Sequence, residues 1–166
     1  MREYFPVIKK TALFQDISED DLDGMLTCLG ARTASYSKNQ PIFWEGEPAS
    51  LIGVVLTGKV QIAKDDFFGN RNIISMMEPS QLFGEAFACA GIEKLPVTAT
   101  AVTDSEILLL DCRRVITTCG NSCAFIAQEL FYVLFSFAVT DFLQQKCFFI
   151  HAAFPLHVFF HILPSD

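Results

Sequence analysis

The chain has 166 residues, half of them apolar, with 19% charged residues and a net charge of −7. That length fits one domain with a real core, and the composition excludes a disordered chain. The twelve basic residues are scattered, with no Lys/Arg run longer than two, so the footprint of a nucleic-acid or anionic-membrane binder is missing.

Residues 1–30 read as short helices. Phe5, Ile8, Leu13 and Phe14 are apolar anchors, and Lys9-Lys10 interrupts any apolar export signal. Ser18 is a helix N-cap, with Glu19, Asp20 and Asp21 in a first turn where the helix dipole favours them. Leu22, Met25, Leu26 and Leu29 then follow at helical spacing, and Gly30 stops the helix.

Residues 31–111 change to short β runs punctuated by turn residues. Ile42-Phe43-Trp44 precedes a turn at Glu45-Gly46-Glu47-Pro48. Leu51–Leu56 is continuously apolar, and Thr57-Gly58-Lys59 turns the chain into the alternating Val60-Gln61-Ile62-Ala63. Further runs cover Asn72–Met77, Val97–Val102 and Ile107–Leu110. Short strands at about 8–12-residue spacing, without helical crossovers, predict a mainly β protein with flanking helices, a sandwich or jelly roll.

Between these runs lies Pro79–Ala101, where Leu82-Phe83-Gly84-Glu85 leads into a small-residue segment. Gly84 permits close approach of the backbone to a neighbour. Ala86, Phe87 and Ala88 are suited to a single helical turn whose free N–H groups favour an anion. Taken alone, most Gly-Glu pairs are ordinary turns.

Residues 112–166 return to helix and then to an atypical apolar tail. Arg113–Cys119 suggests a short helix, and Asn121 or Ser122 caps a longer one carrying Ala127, Leu130, Leu134, Phe137 and Ala138. Ten of the seventeen phenylalanines lie at or after Phe125, and all three histidines follow Ile150.

The order of motifs resembles a cyclic-nucleotide-binding domain of the Crp/Fnr transcription regulators. Pro41–Ala49 and Leu51–Val60 are similar to its first hairpins, Leu82-Phe83-Gly84-Glu85 to the start of its phosphate-binding cassette, and Asp104–Asp111 to its last strand. The resemblance covers about residues 10 to 135. It implies a double-stranded β-helix (jelly roll) followed by a C-terminal helix that pairs two subunits. It also implies a small-molecule effector held by Phe83, Gly84, Glu85, Ala86, Pro96, Val97 and Thr98. Gly84 and the Ala86 backbone would face a phosphate, and Glu85 would accept a ribose hydroxyl.

Two departures narrow this expectation. Nucleotide-binding members carry an arginine, followed by Ser or Thr, where this chain has Leu95 and Pro96. Without that guanidinium a buried phosphate loses a strong bidentate contact, so cyclic AMP is disfavoured and Lys94 is a poor substitute. No basic helix-turn-helix pattern can be fitted after the β runs, so DNA contact is expected only through a domain missing from this chain. The tail after about residue 125 reads as foreign to the family, as a frameshift, truncation or degraded gene would leave it.

The remaining constellations favour bland readings. His151, His157, His161 and Cys147 suggest a metal site, but Pro155 interrupts them and no metal is expected. Cys119 and Cys123 read as buried thiols in a reduced, cytosolic protein. Cys147–Leu163 nears the shortest membrane span, and Pro155 with three histidines argues against one. No catalytic signature occurs, so neither enzyme activity nor a cofactor is expected. The competing classes are a ligand-free β-barrel interaction module and a membrane-tethered sensor.

Overall fold

The computed structural model describes residues 1–15, 17–89 and 91–116. The predicted C-terminal pairing helix, the Cys119/Cys123 pair, the His/Cys cluster and the apolar tail all lie outside them.

A 3-10 turn at Arg2–Tyr4 and α1 (Phe5–Ile8) lead through a second 3-10 turn, Ala12–Phe14, into α2 (Glu19–Cys28). Ser18 caps α2 as its sequence predicts: its hydroxyl oxygen accepts from the Asp21 amide at 3.2 Å. Gly30 ends the segment at φ +63°.

Eight strands follow: β1 (Arg32–Tyr36), β2 (Pro41–Phe43), β3 (Leu51–Thr57), β4 (Val60–Asp65), β5 (Arg71–Met77), β6 (Leu82–Phe83), β7 (Thr98–Ala101) and β8 (Ser105–Asp111). They form two four-stranded antiparallel sheets, ordered β1-β8-β3-β6 and β2-β7-β4-β5, as the jelly-roll reading anticipates. The short helix α3 (Glu85–Cys89) interrupts the strands between β6 and β7, and α4 (Cys112–Ile116) follows β8.

The continuous apolar runs in β3 and β8 have a simple cause: both faces of their sheet are covered. Ile52, Val54 and Leu56 of β3, with Leu108 and Leu110 of β8, pack against the N-terminal helices. The alternate residues Val55, Ile107 and Leu109 turn the other way and fill the space between the sheets. Gly53 sits among them directly opposite Phe83 of β6, and the Phe83 ring occupies the room that a Cβ at Gly53 would need.

The β4–β5 connection is stiffened by Asp66. Its carboxylate accepts from the Phe68 and Asn70 amides at 2.8 Å each and from the Asn70 side chain at 2.9 Å. The Asn70 bonds lead the causes that hold this carboxyl below its ordinary range. The tip therefore presents Phe67 and Phe68 in a fixed edge-to-face pair, 97% and 85% exposed.

Candidate effector site

The site is built where β6 runs into α3. Phe83 is 2% exposed, and its ring meets Phe43 of the opposite sheet at a centroid distance of 5.2 Å. Gly84 follows at φ +85°, a left-handed conformation that an L side chain adopts at a cost. A Cβ there would stand 3.1 Å from the Leu51 carbonyl oxygen and 3.2 Å from the Phe43 ring. Replacing Gly84 with alanine is therefore expected to cost about 1–2 kcal/mol of stability, from the left-handed conformation alone. Urea denaturation checks this, and an unchanged midpoint would contradict it.

Glu85 opens α3 and is 8% exposed, an unusual setting for a carboxylate. Ala86 beside it is half-buried, and the Ala88 amide donates to the Gly84 carbonyl at 3.1 Å, closing the first turn of α3.

The exit of the segment is stitched to the β2–β3 loop. The Leu95 amide donates to the Glu47 carbonyl at 2.8 Å, and the Gly46 amide donates back to the Leu95 carbonyl at 2.8 Å. The Thr98 hydroxyl oxygen accepts from the Glu45 amide at 3.2 Å, while the Glu47 carboxylate accepts from the Trp44 amide at 3.1 Å. Leu95 is 5% exposed and packs with Val97, Phe43 and Phe83 between the sheets. Pro96 is half-buried and Lys94 exposed. The position that the family resemblance would give to an arginine is thus occupied by a buried apolar side chain.

A cavity of about 230 Å³ opens beside this arrangement. Phe43 and Leu51, the two neighbours of Gly84, form part of its wall, and Leu95 forms another part. Of the seven residues expected to hold an effector, Phe83, Gly84, Glu85 and Ala86 are consecutive at the β6–α3 junction, and Pro96, Val97 and Thr98 lie on the stitched exit. The cavity wall itself is made of others. Its rim carries Arg32 and Tyr36 from β1 and Glu47 from the β2–β3 loop, none of which sequence reasoning singled out. The signal available for two of them was the alternation in Arg32-Thr33-Ala34-Ser35-Tyr36, which places Arg32 and Tyr36 on one face of a strand. Burial raises the Tyr36 phenol, and the nearby Arg32 charge partly offsets it, so the hydroxyl stays protonated at neutral pH.

The family model for the cyclic nucleotide-binding domain matches residues 33–121, more than half of the chain, and spans the strands and the β6–α3 junction together. The chain belongs to the cyclic nucleotide-binding domain family. Among curated proteins this domain is 28% identical over 103 residues to the cyclic AMP receptor protein of Thermus thermophilus, covering 62% of this chain and 46% of that protein. The chain therefore spans about half the length of such relatives, which include a second Crp-like regulator from Mycobacterium tuberculosis.

Solved structures agree on the fold. The sensor domain of the transcriptional regulator DNR from Pseudomonas aeruginosa superposes with a TM-score of 0.67 at 18% identity, over 86% of this chain and 89% of that one. A cyclic nucleotide-binding domain from Methylobacillus flagellatus superposes at 0.69 and 16% identity, over 86% and 78%. Among the described residues of the domain, no helix is long and apolar enough to cross a membrane.

Proposed function

We propose that this domain is the effector-sensing part of a Crp/Fnr-like bacterial transcription regulator, acting in the cytoplasm, and that it takes a small molecule other than cyclic AMP. One observation supports the reading: the cavity is walled by Leu95, at the exit of the segment that corresponds to the phosphate-binding cassette, and by Phe43 and Leu51, the residues that a Cβ at Gly84 would meet. The buried Leu95 argues against a cyclic phosphate, because nothing at that position can neutralise it.

In this reading the effector biases a two-state equilibrium of the domain by binding one state more tightly. Pairing of two subunits is assigned to the C-terminal helix that the sequence predicts, and DNA contact to a form that carries a DNA-reading domain. Catalysis is no part of the proposal. Thermal-shift screening against nucleotides and small carboxylate or aromatic metabolites tests it. A stabilising compound is expected, with cyclic AMP giving no shift. If that compound carries a hydroxyl, Glu85→Ala is expected to weaken it by about tenfold, as losing a hydrogen bond to a charged acceptor does. No stabilisation by any compound would contradict the proposal.

A second reading, a ligand-free interaction module, draws on the β4–β5 hairpin. Phe67 and Phe68 at its tip and Ile73 and Met76 on edge strand β5 are exposed. Such a surface suits a protein partner. A null screen together with loss of self-association or partner binding in Phe67→Ser/Phe68→Ser would favour it.

A further inference from the structure

The rim of the cavity carries one charge of each sign over an apolar floor, and this pattern names a ligand class. The floor is Ile42, Phe43, Leu51, Leu95 and Leu109. At the mouth stand Arg32 and Glu47, both exposed, with Tyr36 and Ser50 half-buried in the same lining. Among the described residues Arg32 enters no ion pair and its guanidinium donates to no side chain. Among the described residues Glu47 enters no ion pair either, and one of its carboxylate oxygens accepts from the Trp44 amide at 3.1 Å. The same loop is fixed to Leu95 through the Glu47 carbonyl, so the carboxylate and the apolar floor belong to one stitched unit.

A phosphate dianion would meet repulsion from Glu47, and a purely apolar ligand would leave both charges unused. A molecule with a carboxylate, an ammonium and a short apolar body answers all three features. The cavity, about 230 Å³ in volume, has room for an apolar body such as a leucine or phenylalanine side chain. We infer that the cavity binds a free apolar α-amino acid, its carboxylate on Arg32, its ammonium on Glu47 and its side chain among Phe43, Leu51, Leu95 and Leu109. This inference rests on the effector-sensing reading and deepens it. The Tyr36 hydroxyl, which stays protonated, supplies a further donor to the ligand carboxylate.

Isothermal titration of the full chain with L-leucine, N-acetyl-leucine, leucinamide and isoamyl alcohol tests the assignment. Leucine is expected to bind at least about tenfold more tightly than each of the other three, the scale of a hydrogen bond to a charged group. Arg32→Gln should weaken leucine about tenfold and leave leucinamide unchanged. Glu47→Gln, which keeps an acceptor for the Trp44 amide, should weaken leucine and leave N-acetyl-leucine unchanged. Both side chains are exposed, so the variants should fold, and the three leucine analogues read the same charges on the unmodified chain in any case. If isoamyl alcohol binds as tightly as leucine, or either analogue matches it, the amino-acid assignment is overturned while the effector pocket stands. If neither leucine nor any compound of the metabolite screen binds, both fall.

Discussion

Replacing Phe83 with alanine is expected to destabilise the domain by about 3–5 kcal/mol, the range for deleting a fully buried aromatic ring. The effect should be at the upper end because the ring has two duties. It bridges the sheets through Phe43, and it fills the space over Gly53. Since Gly84 follows it directly, loss of the ring also releases the entry to the candidate site. Guanidinium denaturation should show a lowered midpoint, and ligand binding should fall with it. A variant within about 1 kcal/mol of the parent would mean that the site collapses around the gap at little cost.

Gly53→Ala is the complementary case. The added Cβ would overlap the Phe83 ring, which is 2% exposed and packed against Phe43. An expected cost of about 3 kcal/mol places it at the top of the range for overpacking. The same substitution on a Phe83→Ala background should cost nothing or stabilise slightly, because alanine is about 0.5–1 kcal/mol better than glycine in a strand once the clash is gone. A double-mutant cycle by denaturation reads this coupling directly. Additive effects would contradict the packing described for β3 and β6.

How much of this was legible in the sequence depended on whether local chemistry decided the structure. Ser18 followed by three acids specified the start of α2, and the cap forms as expected. The doubly covered strands β3 and β8 announced themselves as unbroken apolar runs, and the alternation of β4 marked a different environment. The two-residue strand β6 was too short for any periodicity, so its strand character came only from pairing with Gly53 and Val54. β1 was hidden for another reason: its burial is slight, and its pairing with β8 is set by backbone hydrogen bonds.

The candidate site divides along the same line. Gly84 and Glu85 could be singled out because they stand side by side in a recognisable order of motifs. Arg32, Tyr36 and Glu47 come from two segments far from them in the chain, and only the closing of the sheets brings them to one cavity. Leu95 was noticed as a departure from an expected arginine, yet its role as part of the cavity floor follows from its burial beside Phe43 and Val97. Leu95 thus gives the cavity an apolar wall at the position where the family resemblance would place a phosphate-neutralising arginine.

The central claim is that a small effector occupies the cavity walled by Phe43, Leu51 and Leu95, two of which adjoin Gly84. Mapping backbone amide shifts of the labelled chain on titration with a stabilising compound tests it most directly. The account predicts shifts concentrated at Gly84, Phe43, Leu51, Leu95 and Arg32, with the β4–β5 hairpin around Phe67 and Phe68 unaffected. Shifts confined to that hairpin, with the Gly84 and Leu95 amides unmoved at saturation, would contradict it.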